Sequence, residues 1–396
     1  MTPKPWWQDT FVLSTFASIQ QGDNVERIIE LLAEAGLNTV ECNCPLEYRA
    51  DDPTREEITR ALVACEKHGL RFFVTDHQRM TGVAEPKVDD LKSIVEDYAS
   101  YPALAGYYVW DEPETQYFAA VRMMFDTLKA LDSERLSLNA LVPSYGHHRW
   151  PDDYPAFVRG FVSAVDPPVL SFDYYSVSQD PNIPDSPVNV SQELYRDLAL
   201  WSNISRETGK PLWFYPSACK WGGIAKPTLG IIRLQVNTAI AYGATGIQYF
   251  QARGFSGGPL DFTDAPINPD GTKGPSFDIF KSVNEEVSAL APLYPIMKLE
   301  KVTHTAPVPE DNNTFEPGYE GLLEASDNLI ISFMRSPQGQ MHYFVVNKDP
   351  VQTSEITLRF SNPVSLVREP GRTEPLGSDV AYKLEAGQAI LLSLET

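Results

Sequence analysis

The chain is poor in cysteine and in positive charge, and it lacks any long apolar run. Four cysteines in 396 residues, Cys42, Cys44, Cys65 and Cys219, cannot form the dense framework of a disulfide-stapled secreted domain. Cys42 and Cys44 are separated by one residue, too close for the usual zinc pair, so buried free thiols are expected. Lys and Arg number 32 against 53 Asp and Glu, a net charge of −21. That field repels nucleic acid and anionic lipid surfaces. No stretch approaches the roughly 20 apolar residues that cross a bilayer, and no glycine-rich phosphate loop appears. The opening MTPKPWWQDT is polar and proline-punctuated, unlike the apolar core of a secretory signal. Two locations are then expected: the cytoplasm, or the periplasm or exterior for a mature form whose signal has been removed.

What is present is a sizeable core, with 43% hydrophobic residues, in a chain long enough for one large domain and a smaller one. Apolar runs alternate with amphipathic segments. Eight strands are expected: 11–18, 38–43, 71–76, 104–111, 136–143, 169–175, 212–217 and 246–251. Their ends recur at the spacing of a βα unit. NVERIIELLAEAGL, from Asn24 to Leu37, sets Ile28, Ile29, Leu31, Leu32 and Ala35 on one face and stops at Gly36. A second helix starts after Asp52-Pro53 and stops at Gly69. Similar segments begin at Val88, Thr115, Tyr154, Gln192, Thr228 and Ser276. The strands are continuous apolar runs, as when both faces are buried. The expectation is an α/β fold, a (β/α)8 TIM barrel over residues 1–297, with a doubly wound sheet as the alternative. From Lys298 onward helical period disappears. Short alternating runs separated by Pro337-Gln338-Gly339, Asn362-Pro363, Pro370-Gly371 and Gly387 predict a C-terminal antiparallel β-sandwich over 298–396.

Chemistry is sought where parallel strands end. In ALAGYYVWDEPE, Ala103 to Glu114, an apolar strand stops in Asp111, Glu112 and Pro113. Proline cannot continue the ladder. An acid walled by Tyr107, Tyr108 and Trp110 sits where desolvation raises a pKa and suits general-acid work. The competing reading is a helix N-cap. Other strand ends offer Glu41; Asp76 and His77; Asn139, followed by His147, His148, Arg149 and Trp150; Asp173, Tyr174 and Tyr175; Tyr215, Ser217, Lys220 and Trp221; and Gln248, Gln251 and Arg253. Any one of these aromatics is more readily a core residue. Together at one end of the strands they suit a sugar, whose hydroxyls need fixed acceptors and donors and whose C–H face stacks on rings.

GYYVWDEPE resembles the fourth-strand signature of (β/α)8 glycoside hydrolases of the β-galactosidase and cellulase clan. AYGATGIQYFQARG, Ala241 to Gly254, resembles their eighth strand, and Ile267 to Leu293 their last barrel helix. The resemblance implies hydrolysis of an O-glycosyl bond in a plant, algal or microbial oligo- or polysaccharide, with Glu112 as the acid. By their places near the strand ends Trp110, Glu41, Asp76, His77, Asn139, Tyr175, Tyr215, Trp221, Gln248 and Gln251 are the expected substrate contacts, and no cofactor or metal is expected. One departure stands out. Retaining members carry a nucleophilic Glu at the end of the seventh strand, but PLWFYPSACKW, Pro211 to Trp221, has no carboxylate. Asp173 is the first candidate for the second acid, then Asp76 and Glu41. Asp111 and Glu112 are expected on opposite faces, as neighbours on a strand. Two other functions stay open: a metal-dependent sugar isomerase or epimerase, with Glu41, Asp76 and His77 as ligands, and a non-catalytic carbohydrate-binding barrel.

Overall fold

The computed structural model describes residue 8 and residues 10–43, 52–146, 153–180, 182–183, 186–255 and 261–395. Strands and helices alternate in the expected order: β1 (Val12–Thr15), α1 (Val25–Glu34), β2 (Thr39–Glu41), α2 (Arg55–His68), β3 (Arg71–Val74), α3 (Val88–Tyr98), β4 (Leu104–Asp111), α4 (Phe118–Leu131), β5 (Leu136–Ala140), α5 (Tyr154–Val165) and β6 (Leu170–Asp173). A two-stranded ribbon, β7 (Val177–Ser178) and β8 (Asn189–Val190), precedes α6 (Glu193–Thr208), β9 (Leu212–Tyr215), α7 (Leu229–Ala241), β10 (Ala244–Tyr249) and α8 (Phe277–Leu290). Local chemistry sets the helix ends. Thr54 and Glu57 form a reciprocal capping box at α2, and Gly69 closes that helix in the left-handed conformation. Asn24, Asp153 and Thr228 cap α1, α5 and α7 through their side chains.

Parallel strands pair in two four-stranded sheets, β2-β3-β4-β5 and β1-β10-β9-β6. Their edges meet at single bridges. Phe16 bridges Glu41 beside β1 and β2, and Leu141 bridges Phe172 beside β5 and β6. The Ala17 N–H donates to the Glu41 carbonyl at 2.8 Å, and the Leu141 N–H to the Ser171 carbonyl at 2.9 Å. The pleat sorts the side chains. Val12, Phe73, Tyr108, Leu136, Leu138, Val169, Trp213 and Tyr215 share one buried cluster. Leu13, Val40, Phe72, Leu104, Phe172, Phe214 and Ile247 turn to the helices in another.

The C-terminal region departs from a two-sheet sandwich. Its strands are β11 (Lys298–His304), β12 (Leu322–Ala325), β13 (Leu329–Arg335), β14 (Met341–Asn347), β15 (Ser354–Glu369), β16 (Arg372–Leu384) and β17 (Ala389–Leu394). All seven belong to one hydrogen-bonded antiparallel sheet, ordered β11-β13-β14-β17-β15-β12, with β16 on β15. Asn362-Pro363 is not a turn between strands. It lies in a register break inside β15, between Arg359 and Val364, where proline has no N–H to donate. The half of β15 before the break pairs with β12 and the half after it with β17, so one sheet curls over its own core. Ile331, Phe333, Tyr343 and Val345 face that core with Ile356 and Leu358. Ile330, Met334, Phe344 and Val346 face the helices.

Helix α7 lies under this sheet, and every residue from Gly230 to Ala241 is buried. It therefore lacks the polar stripe of its siblings. Its buried Arg233 is paired, to Glu286 of α8 at 2.9 Å and to Glu385 of the C-terminal region at 2.6 Å. Cys42, Cys65 and Cys219 are buried free thiols, as expected; Cys44 lies outside the described residues. Among the described residues no helix is long and apolar enough to cross a membrane.

Two strands approach closely at Gly106 of β4, where a Cβ would lie 1.8 Å from the Leu136 carbonyl oxygen of β5. Gly106→Ala is expected to destabilise the protein by about 3 kcal/mol or more, the upper end for overpacking. Gly160 of α5, where a Cβ meets nothing within 4 Å, should gain up to about 1 kcal/mol on the same change. Urea unfolding of both variants checks the pair; similar midpoints would contradict this packing.

Candidate active site

The end of β4 does not keep strict alternation. Its pairing with β5 shifts between Tyr108 and Trp110, so Val109 and Trp110 both join the helix-facing cluster. Trp110 stacks on Tyr117, ring centroids 4.9 Å apart. The bulge returns Asp111 to the inner side, where it accepts a hydrogen bond from the Tyr108 hydroxyl at 2.8 Å. Glu112 follows with φ +47°, and its N–H donates to the Ala140 carbonyl at 3.0 Å. A non-glycine residue in this conformation costs about 1–2 kcal/mol, a strain that concentrates at functional sites. Both acids consequently line one pocket, against the expectation of opposite faces. Neither caps a helix: Glu114 and Tyr117 hold the positions before the short turn Thr115–Tyr117 and α4, without side-chain caps.

The pocket measures about 180 Å³ and receives a third carboxylate, Asp173 from β6, which is 4% exposed. Its walls are aromatic. Tyr175 meets Trp221 edge to face at 5.0 Å and Phe250 at 5.2 Å, and Phe262 closes on Trp221 at 5.7 Å. Tyr215 lies on the Phe16 ring, 5.4 Å away and nearly parallel. Tyr145 leaves 42% of its surface to solvent while its hydroxyl is held in. That hydroxyl accepts a 3.5 Å bond from the Tyr175 N–H, and burial, with the nearby charges of Asp173 and Glu112, raises its pKa. Ser144 is anchored through its N–H to Asp197 of α6 at 2.9 Å, which positions Tyr145 one residue later.

Glu41 lies under this floor, wholly buried. It accepts from Ser14 of β1 at 2.7 Å, from Gln248 of β10 at 2.8 Å, and from the Tyr215 hydroxyl of β9. Gln248 in turn accepts from Ser171 of β6 at 3.0 Å. Burial pushes the Glu41 carboxyl up to about 7 against the pull of its three donors, and the charge of Asp111 adds to the rise.

Of the twelve residues expected from sequence, the pocket gathers Glu112, Asp173, Tyr175, Tyr215 and Trp221. Glu41 and Gln248 sit one layer below. The rest lie elsewhere. Asp76 and His77 line a separate cleft, where Asp76 chelates Arg79 at 2.8 and 3.0 Å and His77 Nδ1 faces Asp52 at 2.7 Å. Trp110 faces outward. Asn139 alternates with the inward Leu138 and Ala140 and so turns to the helices; its amide nitrogen has no hydrogen-bond partner. Gln251 is buried and accepts from the Ser18 hydroxyl. His147, His148, Arg149 and Trp150 lie outside the described residues. Sequence reading missed Asp111, Tyr145, Phe16, Phe250 and Phe262 as lining residues. Phe16 and Phe250 carried a usable signal, since each lies within the last three residues of an expected strand.

Between pH 4.5 and about 7 Glu41 is protonated when folded and ionised when unfolded. Its stabilising contribution is full below pH 4.5 and is lost as pH rises through about 7, at about 1.4 kcal/mol per pH unit. Wild type should therefore lose about 2 kcal/mol more than Glu41→Gln between pH 5 and 7, measured by urea unfolding. Parallel pH profiles would contradict this.

No protein-family model matches the sequence, and no match is found among curated proteins. Solved structures do match. A β-galactosidase from Bacillus circulans sp. alkalophilus aligns at TM-score 0.66 and 10% identity, over 98% of this chain and 99% of that one. A family 5 glycoside hydrolase from Bacteroides vulgatus aligns at 0.58 and 11%, over 97% and 89%. A β-galactosidase from Marinomonas ef1 aligns at 0.50 and 13%, over 70% of this chain, which spans only 60% of that larger protein. At these identities the likeness is one of architecture: the chain shares its fold with solved structures described as β-galactosidases and glycoside hydrolases.

Proposed function

We propose that the protein is a glycoside hydrolase whose two parallel sheets close into one (β/α)8 barrel over residues 1–297, with residues 298–396 as an accessory β-domain. The observation that carries this reading is the meeting of three carboxylates and a ring of aromatics at the C-terminal ends of β4, β6, β9 and β10. Glu112 gives its proton to the glycosidic oxygen as that bond lengthens. Asp173, from a different strand, takes the proton of a water that attacks the sugar from the opposite face. The seventh parallel strand, β9, ends in Tyr215 and offers no carboxylate, so the double displacement of the retaining clan has no counterpart there. Inversion follows from the use of two acids with a water between them. The substrate is an oligo- or polysaccharide.

The isomerase alternative needs Glu41, Asp76 and His77 to share a metal. Glu41 is taken by three donors, while Asp76 and His77 are committed to Arg79 and Asp52 in another cleft. Among the described residues no group of three or more His, Cys, Asp or Glu is set to hold an ion. The missing acid on β9 favours the other alternative, a barrel that binds sugar without cleaving it, and a turnover assay on a glycan panel separates the two.

Glu112→Gln should lower turnover by about 10²–10⁴-fold on substrates with poor leaving groups while the protein stays folded. Near wild-type rates would remove Glu112 from the role. Proton NMR of the anomer first released should show inversion, and azide should rescue Asp173→Ala. A retained anomer, with Asp173→Ala keeping most of its activity, would overturn the assignment of Asp173.

A further inference from the structure

Three buried polar atoms lack partners in the cleft of His77. The cleft measures about 340 Å³, within the roughly 300–1,000 Å³ of small-molecule sites. Among the described residues it shares no wall with the pocket of Glu112 and Asp173. Asn43, after β2, is 8% exposed and donates its amide to the Ile19 carbonyl at 2.9 Å. That bond fixes the amide and leaves Oδ1 as an acceptor. The His77 side chain, after β3, is 7% exposed and gives Nδ1–H to Asp52 at 2.7 Å. The neutral ring then carries its lone pair on Nε2. Tyr98, the last residue of α3, is wholly buried. Asn43 Oδ1, His77 Nε2 and the Tyr98 hydroxyl have no hydrogen-bond partner among the described residues. Buried polar groups are costly to leave in this state, and all three residues line one cleft. The charged groups around them are matched to one another. Arg79 pairs with Asp76 at 2.8 Å and with Asp97 at 2.9 Å, and Arg55 pairs with Asp97 at 2.9 Å.

We propose that this cleft is a second binding site, for a neutral sugar, filled in addition to the pocket of Glu112 and not in place of it. The partnerless atoms select the chemistry. Asn43 Oδ1 and His77 Nε2 require donors, which a phosphate or carboxylate anion lacks. The Tyr98 hydroxyl both donates and accepts, and an ammonium group cannot accept. Hydroxyl groups do both, and neighbouring hydroxyls on one ring reach several wall atoms together. The site is built on fixed backbone. The Asp76 carbonyl accepts from the N–H groups of Met80 and Thr81 at 3.0 and 2.7 Å. The Thr81 hydroxyl donates to the Tyr108 carbonyl at 2.7 Å, and the Gly82 N–H to the Val109 carbonyl at 3.2 Å. His77 is thereby braced against the bulge of β4 before any ligand arrives, which lowers the ordering cost of binding.

The test uses the full chain and reads the cleft directly. Nitrogen-15 NMR of the histidine rings, with His77 assigned through His77→Gln, is followed as glucose, galactose or mannose is added. At least one of these sugars should shift His77 Nε2 saturably, while inorganic phosphate and a linear diamine should not. Tyr98→Phe should weaken that binding about tenfold, the loss of one hydrogen bond. Without sugar, the same variant should keep or raise the urea midpoint, because the hydroxyl it removes has no partner. Four outcomes would each overturn the inference. They are a His77 signal that no neutral sugar moves, as for a cleft holding trapped water only; an equal response to phosphate or the diamine; unchanged sugar affinity in Tyr98→Phe; and a lowered midpoint of that variant in the absence of sugar. The signal belongs to the cleft alone. The expected shifts in a chain that turns over no glycoside would uphold the inference and remove the proposed hydrolysis.

Discussion

A buried carboxylate without donors is costly enough to unfold its surroundings, and Glu41 obtains its donors from across the sheets. It stands on β2, and its partners stand on β1, β9 and β10, with β6 joined through Gln248. One acid thus ties the edge of one parallel sheet to three strands of the other. The same bonds fix the Tyr215 ring, which is the floor of the pocket. Stability and site geometry share this group, so a change at Glu41 reaches both.

Directly above, the shape of the site depends on one irregularity. The shift in register between Tyr108 and Trp110 sends Trp110 out to Tyr117 and brings Asp111 in to Tyr108. The left-handed turn at Glu112 then keeps the second acid on the same side. Without the bulge, one of the two acids would face the helices. The C-terminal sheet bears on the site only at a distance. It covers α7 and holds it through Arg233 and Glu385, which lets the strand–helix units on either side pack without a polar face.

Much of this was legible from residue order. The eight parallel strands lie within or beside the apolar runs, seven of them stopping two or three residues short of the expected ends, Asn24 marked the start of its helix, and Glu112, Asp173, Tyr175, Tyr215 and Trp221, each ending or following an expected strand, are brought into one pocket. The failures have separate physical causes. Asp111 was lost because a bulge depends on the partner strand, and no local pattern in β4 announces it. Asn139 was misplaced although the parity of Leu138 and Ala140 pointed inward and so argued against it. Asp76 and His77 do follow a strand. Their loop folds back on β4, with the Thr81 hydroxyl donating to the Tyr108 carbonyl at 2.7 Å, and Arg79 captures the acid three residues later. The single curled sheet at the C-terminus was hidden by Asn362-Pro363, which reads as a turn but sits inside one long bent strand.

In the proposed reaction the sugar is held between Glu112 and Asp173 over Tyr215. A crystal structure of the Glu112→Gln variant soaked with an aryl glycoside tests it most directly. One sugar ring is expected against Trp221 and Tyr175, its glycosidic oxygen within hydrogen-bonding distance of the residue 112 side chain, and Asp173 on the opposite face of the ring. A sugar bound instead in the cleft of Asp76 and His77, or in this pocket with its glycosidic oxygen turned away from residue 112, would contradict it.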